Sequence, residues 1–155
     1  MSPNIWRSRS LLVLLILGVA AASAVADTYS PRQYYGPWYK HPKYNYYYRN
    51  YYYKPAADYA GYKYHYAMYF PSRPNHYYYY NPQTKKYWGR CPVNNNGKPQ
   101  YSLLAEKDRK EKLADIPESA FPAPGALPPI PDSDDGATLD LPPNDLPKED
   151  LPAVP

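Results

Sequence analysis

Lys63-Tyr64-His65-Tyr66-Ala67-Met68-Tyr69-Phe70, interrupted by Pro71-Ser72-Arg73-Pro74 and resumed by His76-Tyr77-Tyr78-Tyr79-Tyr80, is the stretch that decides the fold. In extended backbone successive side chains point to opposite faces, so Tyr64, Tyr66, Met68 and Phe70 share one side of a strand. Aromatic residues favour that half-buried, pleated surface. Asn81-Pro82-Gln83-Thr84 then carries Asn and Pro at the first two places of a type I turn, and Lys85-Lys86 leads into a third aromatic run, Tyr87-Trp88-Gly89-Arg90. The prediction is a small all-β antiparallel meander of three strands over residues 63–91. Tyr101 to Leu104 extends it to residue 104, or else Ser102 caps one short helix that runs to Ala114. The helix is slightly preferred, although its positions between Ala105 and Leu113 are nearly all charged and its apolar stripe is thin.

Working outward, the composition changes on both sides of this block. Tyrosine reaches 22 and proline 21 of 155 residues, with only 2 Phe, so burial falls to rings that each carry a hydroxyl needing a partner. Residues 27–58 hold Tyr46-Tyr47-Tyr48-Arg49-Asn50-Tyr51-Tyr52-Tyr53-Lys54 with no clean period, and they read as a Tyr/Pro-rich low-complexity segment, irregular in structure. Residues 59–118 are the meander with a charged connector. Residues 119–155 carry ten prolines and seven acids against one lysine, which predicts a disordered, acidic, Pro-rich tail. By contrast, residues 27–100 have 11 Lys or Arg against two acids, so a net charge of +4 conceals two opposed ends. A fold-back of the acidic tail onto the basic zone is a further option, screened by salt.

At the N-terminus, Arg7 and Arg9 precede an apolar run, Leu11 to Ala26, that ends in small residues. This order reads as a signal helix, residues 1–26, removed between Ala26 and Asp27. The expected location is therefore secreted, periplasmic or in the cell envelope.

Chemistry-bearing patterns are few. His41, His65 and His76 lack the spacing of a zinc site, although His65 and His76 fall on neighbouring predicted strands. Residues 59–100 contain no Asp or Glu, so that region offers no carboxylate pair for acid/base work. No phosphate loop or nucleophile elbow occurs, and the expectation is a non-enzymatic chain without cofactor. Cys91 is the only cysteine. It is either a half-buried thiol at a strand end or the site of an intermolecular disulfide. The candidate binding surface is Tyr64, Tyr66, Tyr78, Tyr80, Tyr87, Trp88 and Arg90, where cations meet rings able to stack on bases or sugars.

Residues 77–88, Tyr-Tyr-Tyr-Tyr-Asn-Pro-Gln-Thr-Lys-Lys-Tyr-Trp, resemble the second hairpin of WW domains, which implies an aromatic groove for a Pro-rich peptide. They are also similar to the tyrosine repeats of OCRE domains, whose intracellular RNA-processing context conflicts with an export leader. Tyr79-Tyr80-Asn81-Pro82, Tyr87-Trp88-Gly89-Arg90, Tyr101 to Arg109 and Ile116 to Pro122 together resemble a group of short Tyr-rich secreted proteins of planctomycete-type bacteria. That resemblance implies export and a shared domain, and no activity. Two functions are expected to compete. One is a structural or adhesion protein that contacts an anionic polymer, a cell-surface glycan or further copies of itself through Tyr-rich basic surfaces. The other is a small binding module for a polysaccharide or a Pro-rich peptide. Nucleic acid fits the chemistry but not the location.

Overall fold

The computed structural model describes residues 30–151; the predicted leader and its cleavage point at Ala26 and Asp27 lie outside them. Seven strands make one antiparallel sheet. They are β1 (Gln33–Tyr35), β2 (Tyr39–Lys40), β3 (Tyr47–Tyr53), β4 (Lys63–Tyr69), β5 (His76–Asn81), β6 (Lys86–Pro92) and β7 (Ser102–Leu103). Their order across the sheet follows the chain, except that β1 and β2 both lie along β3. β1 meets Tyr51 to Tyr53 and β2 meets Tyr47 and Tyr48, so the two are halves of a single edge strand. The break falls at Gly36-Pro37-Trp38, where proline lacks the N–H a ladder needs.

The three-stranded meander over 63–91 is present as β4, β5 and β6, and β7 carries the sheet to Leu103 by pairing with Gly89 and Arg90. The helix preferred for residues 102–114 does not form. Ser102 is buried in the sheet, and the connector makes three single 3₁₀ turns, Glu106–Asp108, Leu113–Asp115 and Glu118–Ala120. Among its charges a regular helix had no stripe to bury, whereas irregular spacing lets Leu104, Leu113, Ile116 and Phe121 all reach the sheet.

From residue 30 onward the 27–58 segment is not irregular as expected, because it supplies β1, β2 and β3. Burial alternates strictly along β3, with Tyr47, Arg49, Tyr51 and Tyr53 buried and the residues between them half-buried. Tyrosine occupies both faces of this strand, which is why the sequence shows no alternation.

The 119–155 segment also departs from the expected disorder. Through residue 151 it forms a strap over one face of the sheet, and Ile130 and Leu139 are 0% exposed. They join Tyr47, Tyr51, Tyr77, Tyr79, Trp88 and Tyr101 in one core cluster. Buried rings with polar groups need hydrogen-bond partners, and the strap supplies them through the carbonyls of its non-proline residues. Tyr35 donates to the Asp140 carbonyl at 2.7 Å, Trp38 Nε1 and Tyr77 Oη both donate to that of Asp145 at 3.1 Å, and Gln33 Nε2 donates to that of Thr138 at 2.9 Å. Three ion pairs fasten the strap, Arg32 to Asp135 at 2.7 Å, Arg49 to Asp145 at 2.7 Å and Lys63 to Asp132 at 2.9 Å.

The opposite face is only partly covered. The connector packs Leu104, Leu113, Ile116 and Phe121 against Met68, Tyr78 and Tyr87, and leaves the β1 to β4 side open. Between β5 and β6 the register shifts, with Tyr80 opposite Tyr87 and Tyr79 opposite Gly89. Trp88 is the extra residue of a bulge, and its ring turns to the strap side, where it stacks on Tyr101 with centroids 5.4 Å apart.

Candidate functional site

The open face carries a groove of about 770 Å³. Its floor is Met68 and Tyr87, whose hydroxyl donates to Met68 Sδ at 3.5 Å. Tyr46, Tyr48, Tyr66 and Tyr80 form the walls. Strand parity places them, since Tyr48 stands opposite Met68, Tyr66 opposite Tyr80, and Tyr80 opposite Tyr87. The β2–β3 turn closes one end with His41, Pro42 and Tyr44, and Glu111 and Lys112 of the connector stand at the other. That turn is built on His41 Nδ1, which accepts the amides of Lys43 and Tyr44 at 3.1 Å each. Tyr44 is 65% exposed and its ring is nearly parallel to that of Tyr46, at an interplanar angle of 9°.

Rings continue beyond the groove. Tyr66 abuts Tyr64 with centroids 5.7 Å apart, Tyr64 abuts Tyr52 at 6.2 Å, Tyr52 stacks on Tyr34 at 4.8 Å, and Tyr34 meets Tyr62 edge-on at 4.9 Å. Lys54 lies over the Tyr62 ring at 5.0 Å. The result is an aromatic track that crosses β4, β3 and β1 with a lysine near each end. Burial pushes the Tyr66 phenol up to about 12, helped by the neighbouring Tyr64, and burial also raises Tyr46 and Tyr80. These hydroxyls therefore stay protonated at neutral pH and can both donate and accept.

The seven residues predicted from sequence do not act as one surface. Tyr64, Tyr66, Tyr80 and Tyr87 share the open face, the last three of them in the groove. Tyr78 points the same way but lies buried against Phe121 at 6.0 Å. Arg90 is buried too, stacked 4.1 Å from the Phe121 ring centroid and paired with Glu118 at 2.5 Å. Trp88 belongs to the other face because the bulge reverses its side. Sequence reasoning missed His41, Tyr44, Tyr46 and Tyr48, which the parity of β3 would have revealed had that strand been recognised.

A second cleft of about 430 Å³ opens where the strap passes the β5–β6 hairpin. Glu106 of the connector and Asp132 of the strap both line it, a juxtaposition of carboxylates that no local stretch of sequence contains. Asp132 is tied to Lys63. His65, at the cleft floor, shares a hydrogen bond with Tyr53 at 3.2 Å, and burial lowers its pKa to about 4, so it is neutral at pH 7. His76 sits at the far end of the β4–β5 ladder, across from the end of β4 that His65 does not occupy, so the two do not form a metal pair. Among the described residues no group of three or more His, Cys, Asp or Glu could hold a metal ion.

Cys91 is 1% exposed, and burial pushes its thiol up to about 12. Of the two alternatives the structure holds the free thiol, and it is enclosed in the strap-side core where the expectation had it half-buried. Its thiol points to the Tyr79 hydroxyl at 3.9 Å.

No family model, curated protein or solved structure matches this chain, so the roles assigned to its residues rest on its own geometry.

Proposed function

We propose that this chain is a small exported binding module, without catalytic activity, that holds a cell-surface polysaccharide on its open tyrosine face. The observation that supports this reading is the unbroken run of rings from the groove through Tyr66, Tyr64, Tyr52 and Tyr34. A run of ring-sized platforms suits a chain-shaped ligand built of ring-sized units. The apolar faces of sugar rings stack on tyrosine, and sugar hydroxyls exchange hydrogen bonds with the protonated phenols. Lys54 stands at one end of the track and Lys112, beside Glu111, at the other, whereas the cations of the other face, Arg32, Arg49 and Lys63, are engaged by the strap's aspartates. Carboxylate- or sulfate-bearing polysaccharides are therefore favoured over neutral ones. A packed core on each side of the sheet also supports a folded module over a filament former without a stable monomer.

The test is titration of the full mature chain with soluble alginate, with a neutral glucan and with a Pro-rich peptide, followed by tyrosine fluorescence and NMR. Saturable binding of alginate, stronger than of the glucan and lost on changing Tyr66 and Tyr46 together to Ala, is expected. Binding of the peptide alone, or of none of the three, overturns the reading.

A further inference from the structure

The strap face contacts the strap in the way an aromatic groove contacts a separate Pro-rich peptide. Trp38 and Tyr77 donate to one backbone carbonyl, that of Asp145, which closely follows Pro142-Pro143. Tyr35 donates to Asp140, and Arg49 supplies the charged contact. Indole and phenol donors reading the carbonyls of Asp140 and Asp145, in the stretch that follows the loop closed by the Pro129–Thr138 bridge, is the chemistry of peptide recognition. The segment is joined to the connector through Pro122-Ala123-Pro124-Gly125-Ala126, where two prolines favour an extended link over a folded one. No strand of the sheet depends on the strap for a ladder partner. Among the described residues its backbone pairs with the backbone of the body only at the bridge between Tyr101 and Gly125, and its other backbone contacts are with side chains of the sheet.

We propose that the strap passes between copies of this chain, so that the residues from Gly125 onward of one molecule occupy the strap face of another. The occupant is a second copy because the one sequence shown to fit this face is the chain's own, with its aspartates set against Arg32, Arg49 and Lys63. Every contact is the same within a molecule and between two, so no new interface is needed. The balance is then set by concentration. A short tether holds the strap near its own face at an effective concentration on the order of millimolar, so dilute chains close on themselves and crowded ones exchange. This inference concerns the face opposite the polysaccharide track and stands or falls independently of it.

Two single variants, Arg32→Cys and Asp135→Cys, carrying tags of different mass, test the exchange with a short bismaleimide cross-linker. Cys91 is buried and does not compete. The double variant Arg32→Cys/Asp135→Cys reports the closed form as an internal cross-link without change of mass class. Mixing the single variants at about 1 mM, with brief salt treatment to loosen the ion pairs, is expected to give a heterodimer several-fold more abundant than at about 10 µM. An internal cross-link in the double variant with no heterodimer at either concentration overturns the proposal. So does heterodimer no more abundant than the homodimers each single variant forms alone. Failure of the double variant to cross-link internally removes the strap geometry itself and overturns it as well.

Discussion

The ring of Tyr101 lies across Gly89, in the volume where any other residue on β6 would place its Cβ. Glycine's role here is close approach, since its backbone needs no left-handed conformation at this position. Tyr101 in turn stacks on Trp88 and meets Tyr79 at 5.3 Å, so the vacancy at Gly89 sets the packing of the strap-side core. Gly89→Ala forces the ring off its seat and is expected to cost about 1–3 kcal/mol, seen as a lower urea midpoint at unchanged slope. A Gly61→Ala control tests backbone strain without crowding, because no atom lies near that Cβ while its φ is +78°.

Acid is expected to destabilise the fold well above the carboxylate range. The unfolded chain protonates His65 below about pH 6.5, but burial delays protonation in the folded chain until about pH 4. Between those values the unfolded state holds the extra proton, so stability falls as the pH drops, by about 3 kcal/mol across the whole interval. At lower pH Asp135 adds to the loss. Arg32, the Ser133 hydroxyl and the Ala137 amide hold its carboxyl far below the usual range, so its contribution is present at neutral pH and disappears on protonation. Urea unfolding at pH 7, 5.5 and 4 should show the fall, and His65→Gln should flatten the upper part of it.

Arg49 will not tolerate lysine. Its guanidinium lies 4.7 Å from the Trp38 ring centroid, its Nε donates to the Gly36 carbonyl at 2.8 Å, and one terminal nitrogen reaches Asp145 at 2.7 Å. A compact ammonium can replace the charge but neither the stacking nor the second donor. Arg49→Lys is expected to cost about 1–3 kcal/mol in thermal or urea unfolding, and Arg49→Ala more, because the side chain is buried while its partner is half exposed.

Cys91 should be silent to thiol reagents in the folded protein. Burial and a thiol held up at about 12 leave almost no thiolate at pH 8. Reaction with a chromogenic disulfide is expected only at the rate of unfolding, and a non-reducing gel should show monomer. Rapid labelling under native conditions would contradict the burial.

Within the open groove, single changes should grade with position. Tyr66→Ala and Tyr46→Ala each remove a wall ring and are expected to weaken alginate binding about three- to tenfold, corresponding to about 0.5–1.5 kcal/mol per aromatic contact. Tyr78→Ala lies behind Phe121 and should lower stability with little direct effect on binding, a contrast that paired melting and titration data would reveal.

Some of this arrangement is legible in the residues. Period two from Tyr64 to Phe70 and the turn at Asn81-Pro82 specify β4 to β6, and Asn81 Oδ1 does accept the amides of Gln83 and Thr84. Parity within that block also places Tyr64, Tyr66 and Tyr80 on one face. It fails at Trp88, where one inserted residue reverses the side. β3 is hidden for another reason: tyrosine serves equally as core residue and as solvent-facing ring, so binary patterning carries no information there. The tail misleads because proline count measures what backbone cannot donate. It says nothing about side chains on distant strands that can donate to it.

Because neighbouring strands in the sheet are neighbours in the chain, β3 to β6 can zip as successive hairpins with little loop-closure entropy. The contacts of Arg32 with Asp135 and of Arg49 with Asp145 close far longer loops and are expected to form last. Kinetically the strap is then a latch set after assembly: weakening it should speed unfolding while leaving the refolding rate of the sheet nearly unchanged.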